Sequence, residues 1–236
     1  MKKRPFKHPR GATLVEFVII FPIAVLFVLG LLQSGFIYMA KLNLNHATFM
    51  AARMGAVHNA NAGVMRTALV RGLSPFYQNS FEAGDTKRLA TAWVKAEAAN
   101  LNPLTRAEIE LLNPSAASFK DFGVKDPKTG VSYIPNDNLE WRTNTVGGTS
   151  KQNLRDANLL KLRVVYGYEL KIPLMAGILS RVMCSGQSGV KAFGNVNVLE
   201  SVYLPLSQPC LRYYLQGRIP IESVSIVEMQ SRAESS

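Results

Sequence analysis

An α+β fold is what this sequence predicts: a long N-terminal transmembrane and stem helix followed by a small extracytoplasmic domain with helices and a mostly antiparallel sheet. Three observations carry it. No charged residue occurs from Phe17 to Ala40, a run that spans the roughly 30 Å hydrocarbon core of a bilayer at about 1.5 Å per helical residue. Beyond Lys41 the apolar period continues as a helical stripe. Further on, KLRVVYGYEL, Lys161 to Leu170, alternates apolar and polar residues as a half-buried strand does. The chain divides into a basic leader (1–11), a transmembrane helix (12–40), an extracytoplasmic stem helix (41–71) and an α+β domain (72–236).

The leader carries Lys2, Lys3, Arg4, Lys7 and Arg10, a large part of the net charge of +11. Only Lys41 and Arg53 follow the apolar run closely, so the positive-inside rule places the N-terminus in the cytoplasm and the rest of the chain outside. A cleavable secretory signal has an apolar region of about 7–15 residues, and this run is too long for one. After Lys41 the basic residues are scattered among Asp and Glu, with no aromatic–basic interleaving of the kind that stacks bases, so nucleic acid is not a predicted partner. Glu16 stands out, because charge is costly in a membrane helix. In the first turn of a helix beginning at Ala12, the helix dipole and free N–H groups would favour it.

In the stem, Leu42, Phe49, Met50, Met54 and Val57 share one stripe, with Lys41, Asn45, Thr48, Ala52 and Asn59 opposite. The stripe packs either on the protein's own domain or on neighbouring subunits. Gly63, Gly72 and Ser74-Pro75 then turn the chain into a loop. A helix is predicted from about Thr86 to Ala99, with Leu89, Trp93 and Ala96 on one face. A short helix follows Asn102-Pro103, with Leu104, Ile109, Leu111 and Leu112 apolar, and Asn113-Pro114 ends it. Ser115 to Lys151 is rich in turn residues and reads as long surface loops pinned by Trp141. After the strand at Lys161–Leu170 come two more, GVKAFGNVNV from Gly189 and Ile219–Met229. The segment from Ile172, IPLMAGILSRV, reads as a short helix or as a stretch lying against the membrane or a partner, with core burial favoured. No internal repeat is present.

Cys184 and Cys210 are too few for a four-thiolate zinc site and lack Cys-x-x-Cys spacing; they form one disulfide or remain two partly buried thiols. His8, His46 and His58 have no partners at metal or triad spacing. There is no Gly-x-Ser-x-Gly and no phosphate-binding loop. The sequence therefore predicts no catalytic residues, no metal, no cofactor and no enzyme activity.

A short basic leader, Gly11, a following Ala12, Glu16 at the fifth position after Gly11 and an unbroken apolar helix resemble the signal of type IV prepilins. The residues GATLVEF are similar to those of the TadE-like pseudopilins of the tight-adherence (Flp/Tad) system. The resemblance covers about Arg10 to Val57. It implies that a prepilin peptidase cuts between Gly11 and Ala12 on the cytoplasmic side. It also implies that the apolar helix stays in the lipid bilayer of a bacterial inner membrane as a single pass, with a periplasmic C-terminal domain. Other pilin and pseudopilin subunits and the inner-membrane pilus assembly machinery are then the implied partners, and Glu16 the assembly residue, meeting the Ala12 amine of an adjacent subunit. The large domain after Gly72 fits a minor subunit. Without the resemblance, a signal-anchored periplasmic binding or scaffold protein is the alternative.

Overall fold

The computed structural model describes residues 12–79, 81, 84–142, 144–172, 174–179 and 212–235. Its first element is α1, Ala12–Val57, a helix of 46 residues that runs on through Pro22. At about 1.5 Å per residue it is roughly 70 Å long. Two different environments divide it. Large side chains from Leu14 to Leu32 are turned out of the protein, whereas from Gln33 onward one face is covered: Gln33, Ala40, Leu44, Ala47, Thr48, Ala51, Ala52 and Ala56 are all buried.

That buried face corrects the predicted one. Leu42, Phe49, Met50, Met54 and Val57, the predicted packing stripe, are 36–50% exposed, so they flank the domain's core and do not form it. Small residues were chosen by the packing because backbones approach closely here. A Cβ placed on Gly72 would lie 2.7 Å from both the Cα and the Cβ of Ala47, and one on Gly55 would lie 2.6 Å from Sδ of Met65. Both contacts are with α2, Ala62–Leu73, which runs back along α1.

The single stem helix predicted over 41–71 is therefore two antiparallel helices. The reversal lies at Asn59 and Ala60, both with φ of +57°, a conformation that Asn tolerates through local hydrogen bonding. Asn61 then caps α2, its side chain accepting from the N–H groups of Gly63 and Val64, so two otherwise orphaned donors of the first turn are satisfied. Gly63 and Gly72 fall inside α2 instead of in a loop. A short turn of 3₁₀ helix, Ser74–Tyr77, follows and packs Phe76 against Tyr166 and Tyr168, with ring centroids 5.0 and 6.0 Å apart.

α3, Asp85–Leu101, falls where a helix was predicted, but Ala92 and Ala96 are its buried residues while Leu89 and Trp93 are exposed. The short helix predicted after Pro103 is instead a turn and a strand, β1, Glu108–Asn113. Its short apolar run is ambiguous in period, and pairing with a long neighbouring strand decides it. Within the predicted loops lie α4, Ala116–Phe122, β2, Val124–Lys125, and β3, Ser132–Ile134. Trp141 does not pin them, being 88% exposed. Asp121 does: its carboxylate accepts from the N–H groups of Thr149 and Ser150 and from the Ser150 hydroxyl. α5, Leu154–Ala157, leads into β4, Leu159–Glu169, which matches the clearest predicted strand. β5, Arg218–Glu228, matches the last one, and β6 is Ala233–Glu234. The strand predicted from Gly189 lies outside the described residues.

Among the described residues two three-stranded sheets result, ordered β1-β4-β5 and β2-β3-β6, and every pairing in them is antiparallel. Leu160, Leu162, Val164, Tyr166 and Tyr168 of β4 and Ile219 and Ile221 of β5 form one core with the small-residue face of α1 and with α2. On the other face of the larger sheet Arg163 pairs with Glu222 at 2.7 Å and with Glu110 at 3.3 Å. The end of the chain closes over the C-terminus of α1: the N–H groups of Gln230 and Ser231 and the Ser231 hydroxyl all donate to the carbonyl of Ala56. Asn59 is held by Ser231 and Glu234. Helix-end carbonyls lack intrahelical donors, and these contacts supply them.

Candidate functional site

Along α1, the stretch from Leu14 onward is the one helix among the described residues long and apolar enough to cross a membrane, and none of its most apolar window is buried in the protein. An apolar core helix would be covered, so exposure of Phe17, Ile19, Ile20, Ile23, Phe27 and Leu31 fits a single-pass membrane anchor.

Glu16 sits on this exposed surface, and among the described residues no hydrogen bond or ion pair reaches it. In α1, Ala12–Val57, the first turn contains no acidic residue. With 3.6 residues per turn, Glu16 lies one position too far for the first-turn capping role predicted from the dipole, and its own N–H is already engaged by the i−4 carbonyl. Among the described residues, the Glu16 side chain thus has no partner on this apolar surface. Gly11 lies outside the described residues, as do Cys184 and Cys210, so neither the cleavage site nor the disulfide is described structurally.

In the sequence Gln33 stands out only as one of the interruptions of the apolar run, with no role assigned to it. Its side chain is buried to 2% exposure, and Oε1 accepts the backbone N–H of Ile172 at 3.0 Å, while Nε2 is buried without a partner. The signal was phase: Gln33, Ala40, Leu44, Ala47 and Ala51 recur at the spacing of one helical face. A polar amide on that face marks where protein begins to cover the helix.

Higher up, the exposed stripe borders a groove of about 540 Å³ between α1 and α2, lined by Met50, Met54, Val64, Thr67, Ala68 and Arg71. His46 is exposed on α1 and His58 is exposed in the turn just beyond its end, and no group of three or more His, Cys, Asp or Glu side chains among the described residues is placed to hold a metal.

Residues 11–53 match the family model described as TadE-like protein. The match begins at Gly11 and ends inside α1, so it takes in Glu16, the exposed membrane-type stretch and Gln33. It bears out over that segment the resemblance carried by GATLVEF and the apolar run. No curated protein and no solved structure matches the chain significantly.

Proposed function

We propose that this protein is a minor pilin, or pseudopilin, that takes part in assembly of a tight-adherence pilus used in surface attachment. It is made as a precursor with its basic leader in the cytoplasm, cut after Gly11 by a prepilin peptidase, and held as a single pass in the bacterial inner membrane with its C-terminal domain in the periplasm. It then packs by α1 among other pilin and pseudopilin subunits and engages the inner-membrane assembly machinery. Its role is structural, without catalysis.

The observation that supports this is Glu16, a carboxylate with no partner among the described residues, on an exposed and otherwise uncharged stretch of helix within the TadE-like segment. An ionised group in hydrocarbon is costly and is retained where a partner arrives. Cutting after Gly11 frees an amine at Ala12, and on an adjacent subunit that amine supplies the missing charge. The exposed Phe49, Met50 and Met54 supply apolar contact at a higher level of the same helix.

Glu16→Leu tests it. Insertion and cleavage stay unchanged, because the leader and Gly11 are intact. Recovery with sheared pili and with assembly components falls by more than about tenfold, since stranding one member of a desolvated pair costs about 3–5 kcal/mol. Gly11→Val in turn leaves a full-length precursor. Equal recovery of Glu16→Leu and wild type, with Met1 retained in the wild-type protein, would instead identify a signal-anchored periplasmic binding or scaffold protein.

A further inference from the structure

We propose that Ile172 and residues 174–179 make a second membrane contact: Ile172 is clamped to α1 at Gln33, and an outer face formed by Leu174 and Ile178 lies in the boundary between lipid headgroups and acyl chains. The inference needs α1 to span a bilayer but is independent of any part in a pilus.

Helix length and the onset of protein cover are both consistent with an outer edge of the hydrocarbon near Gln33. Some 20 residues of helix cross a core of about 30 Å, and counting them from Ala12, where α1 begins, ends close to Gln33. Protein also first covers the helix there, because Gln33 is the first buried side chain along α1. Ile172 is fixed at that level by its N–H bond to Gln33. From it the chain makes a helical turn over residues 174–179, begun by the bond from the N–H of Ala176 to the carbonyl of Ile172.

This turn has two faces. Ala176 and Leu179 are partly buried against the core, and Ala176 also lies beside Gly217, whose added Cβ would come within 3.8 Å of it. Gly217 accepts the N–H of Leu170, so the turn is wedged between α1 and the end of the larger sheet. Leu174 and Ile178, one helical turn apart, point away from that core and are 52% and 41% exposed. In water they would be two large apolar groups with about half their surface uncovered. At this height they continue the exposed surface of α1, where Leu31, Leu32, Phe36 and Tyr38 are also uncovered. Tyr38 is of the type that gathers at membrane interfaces. Lys171, immediately before the segment, has its side chain 52% exposed, and a long cationic side chain reaches headgroups from such a position.

The experiment uses the full chain in vesicles of phosphatidylethanolamine and phosphatidylglycerol. A benzophenone side chain replaces Leu174, Ile178, Phe27 or Val224, one at a time, and adducts are identified after illumination. Val224 is an exposed residue of β5, roughly 24 Å along the strand from Gly217 at about 3.4 Å per residue. Lipid adducts are expected at Leu174 and Ile178 as at Phe27, and none at Val224. Adducts between two copies of the protein at Leu174 and Ile178, or no adduct there at all, would overturn the proposal. Absence of lipid adducts at Phe27 would remove the bilayer itself, and the proposal with it. Should a substituted chain fail to fold, the unmodified protein in nanodiscs of the same lipids serves. Nitroxide-labelled lipid should broaden the backbone amides of 174–179 while sparing those of 224–228. Sharp amides throughout 174–179 would equally overturn it.

Discussion

Asp121 shows how one carboxylate organises a stretch that the sequence offers only as loops. It accepts from the N–H groups of Thr149 at 3.0 Å and of Ser150 at 2.6 Å, and from the Ser150 hydroxyl at 2.8 Å. The bond from the Ser150 N–H does most to hold its pKa at about 2, below the ordinary 3.8, with the Ser150 hydroxyl next; desolvation opposes them. A depressed carboxylate contributes stability that is present above the unfolded value and lost as pH falls through the folded one. The Asp121 carboxyl signal is therefore expected to titrate near pH 2. Asp121→Asn should flatten the stability profile between about pH 4 and pH 2 and speed proteolysis at 147–150, both measured against wild type. Gly72 makes a second residue-scale case. Gly72→Ala gains up to about 1 kcal/mol of helix propensity, yet the new Cβ meets the backbone of Ala47 at 2.7 Å. Backbone does not yield as a flexible side chain does, so overpacking of about 1–3 kcal/mol wins. The variant is expected to melt below wild type. Neither partner was legible in the sequence, because Asp121 with Ser150 and Gly72 with Ala47 are joined only by the folded chain.

Among the elements, β4 was the most legible and α1 the most misleading, for related reasons. Only one face of β4 is covered, so Leu162, Val164, Tyr166 and Tyr168 alternate visibly with Lys161, Arg163 and Glu169. α1 has one covered face above Gln33 and lipid-type exposure below it, and its bulky residues follow the exposed side. Bulk therefore pointed away from the core, which took Ala47, Ala51, Ala52 and Ala56. Two substitutions separate the faces. Met54→Ser, on the exposed stripe, should change unfolding free energy by no more than about 0.5 kcal/mol. Ala51→Leu, at a fully buried position, should cost about 1–3 kcal/mol by overpacking. Denaturant unfolding in detergent reads both. β1 was missed because its six residues are too few to show a period until β4 pairs with them. Gln33→Ala is expected to raise hydrogen exchange at the Ile172 amide, which loses its acceptor, while leaving exchange in β4 unchanged.

For the molecule as a whole, the α+β class and the long exposed N-terminal helix were legible, whereas the interleaving of α4 and α5 with the strands was not. The first two rest on local composition and period. The reversal at Asn59–Ala60 and the closure of the chain end over α1 were not legible either, because both depend on contacts between segments far apart in sequence, such as Asn59 with Glu234. Removing residues 230–236 would strip the carbonyl of Ala56 of its donors from Gln230 and Ser231. At about 0.5–1.5 kcal/mol per hydrogen bond, that truncation should lower the melting temperature measurably, with far-ultraviolet circular dichroism retained at low temperature. One arrangement also governs how load passes through the molecule. α1 serves as anchor at one end and as core at the other, with no hinge or linker between Leu14 and Val57. A pull or twist applied to its exposed N-terminal half is delivered straight into the packing of Ala47 on Gly72, and the domain has no slack with which to lag behind. The head of this protein is moulded onto its shaft, and the two must travel together.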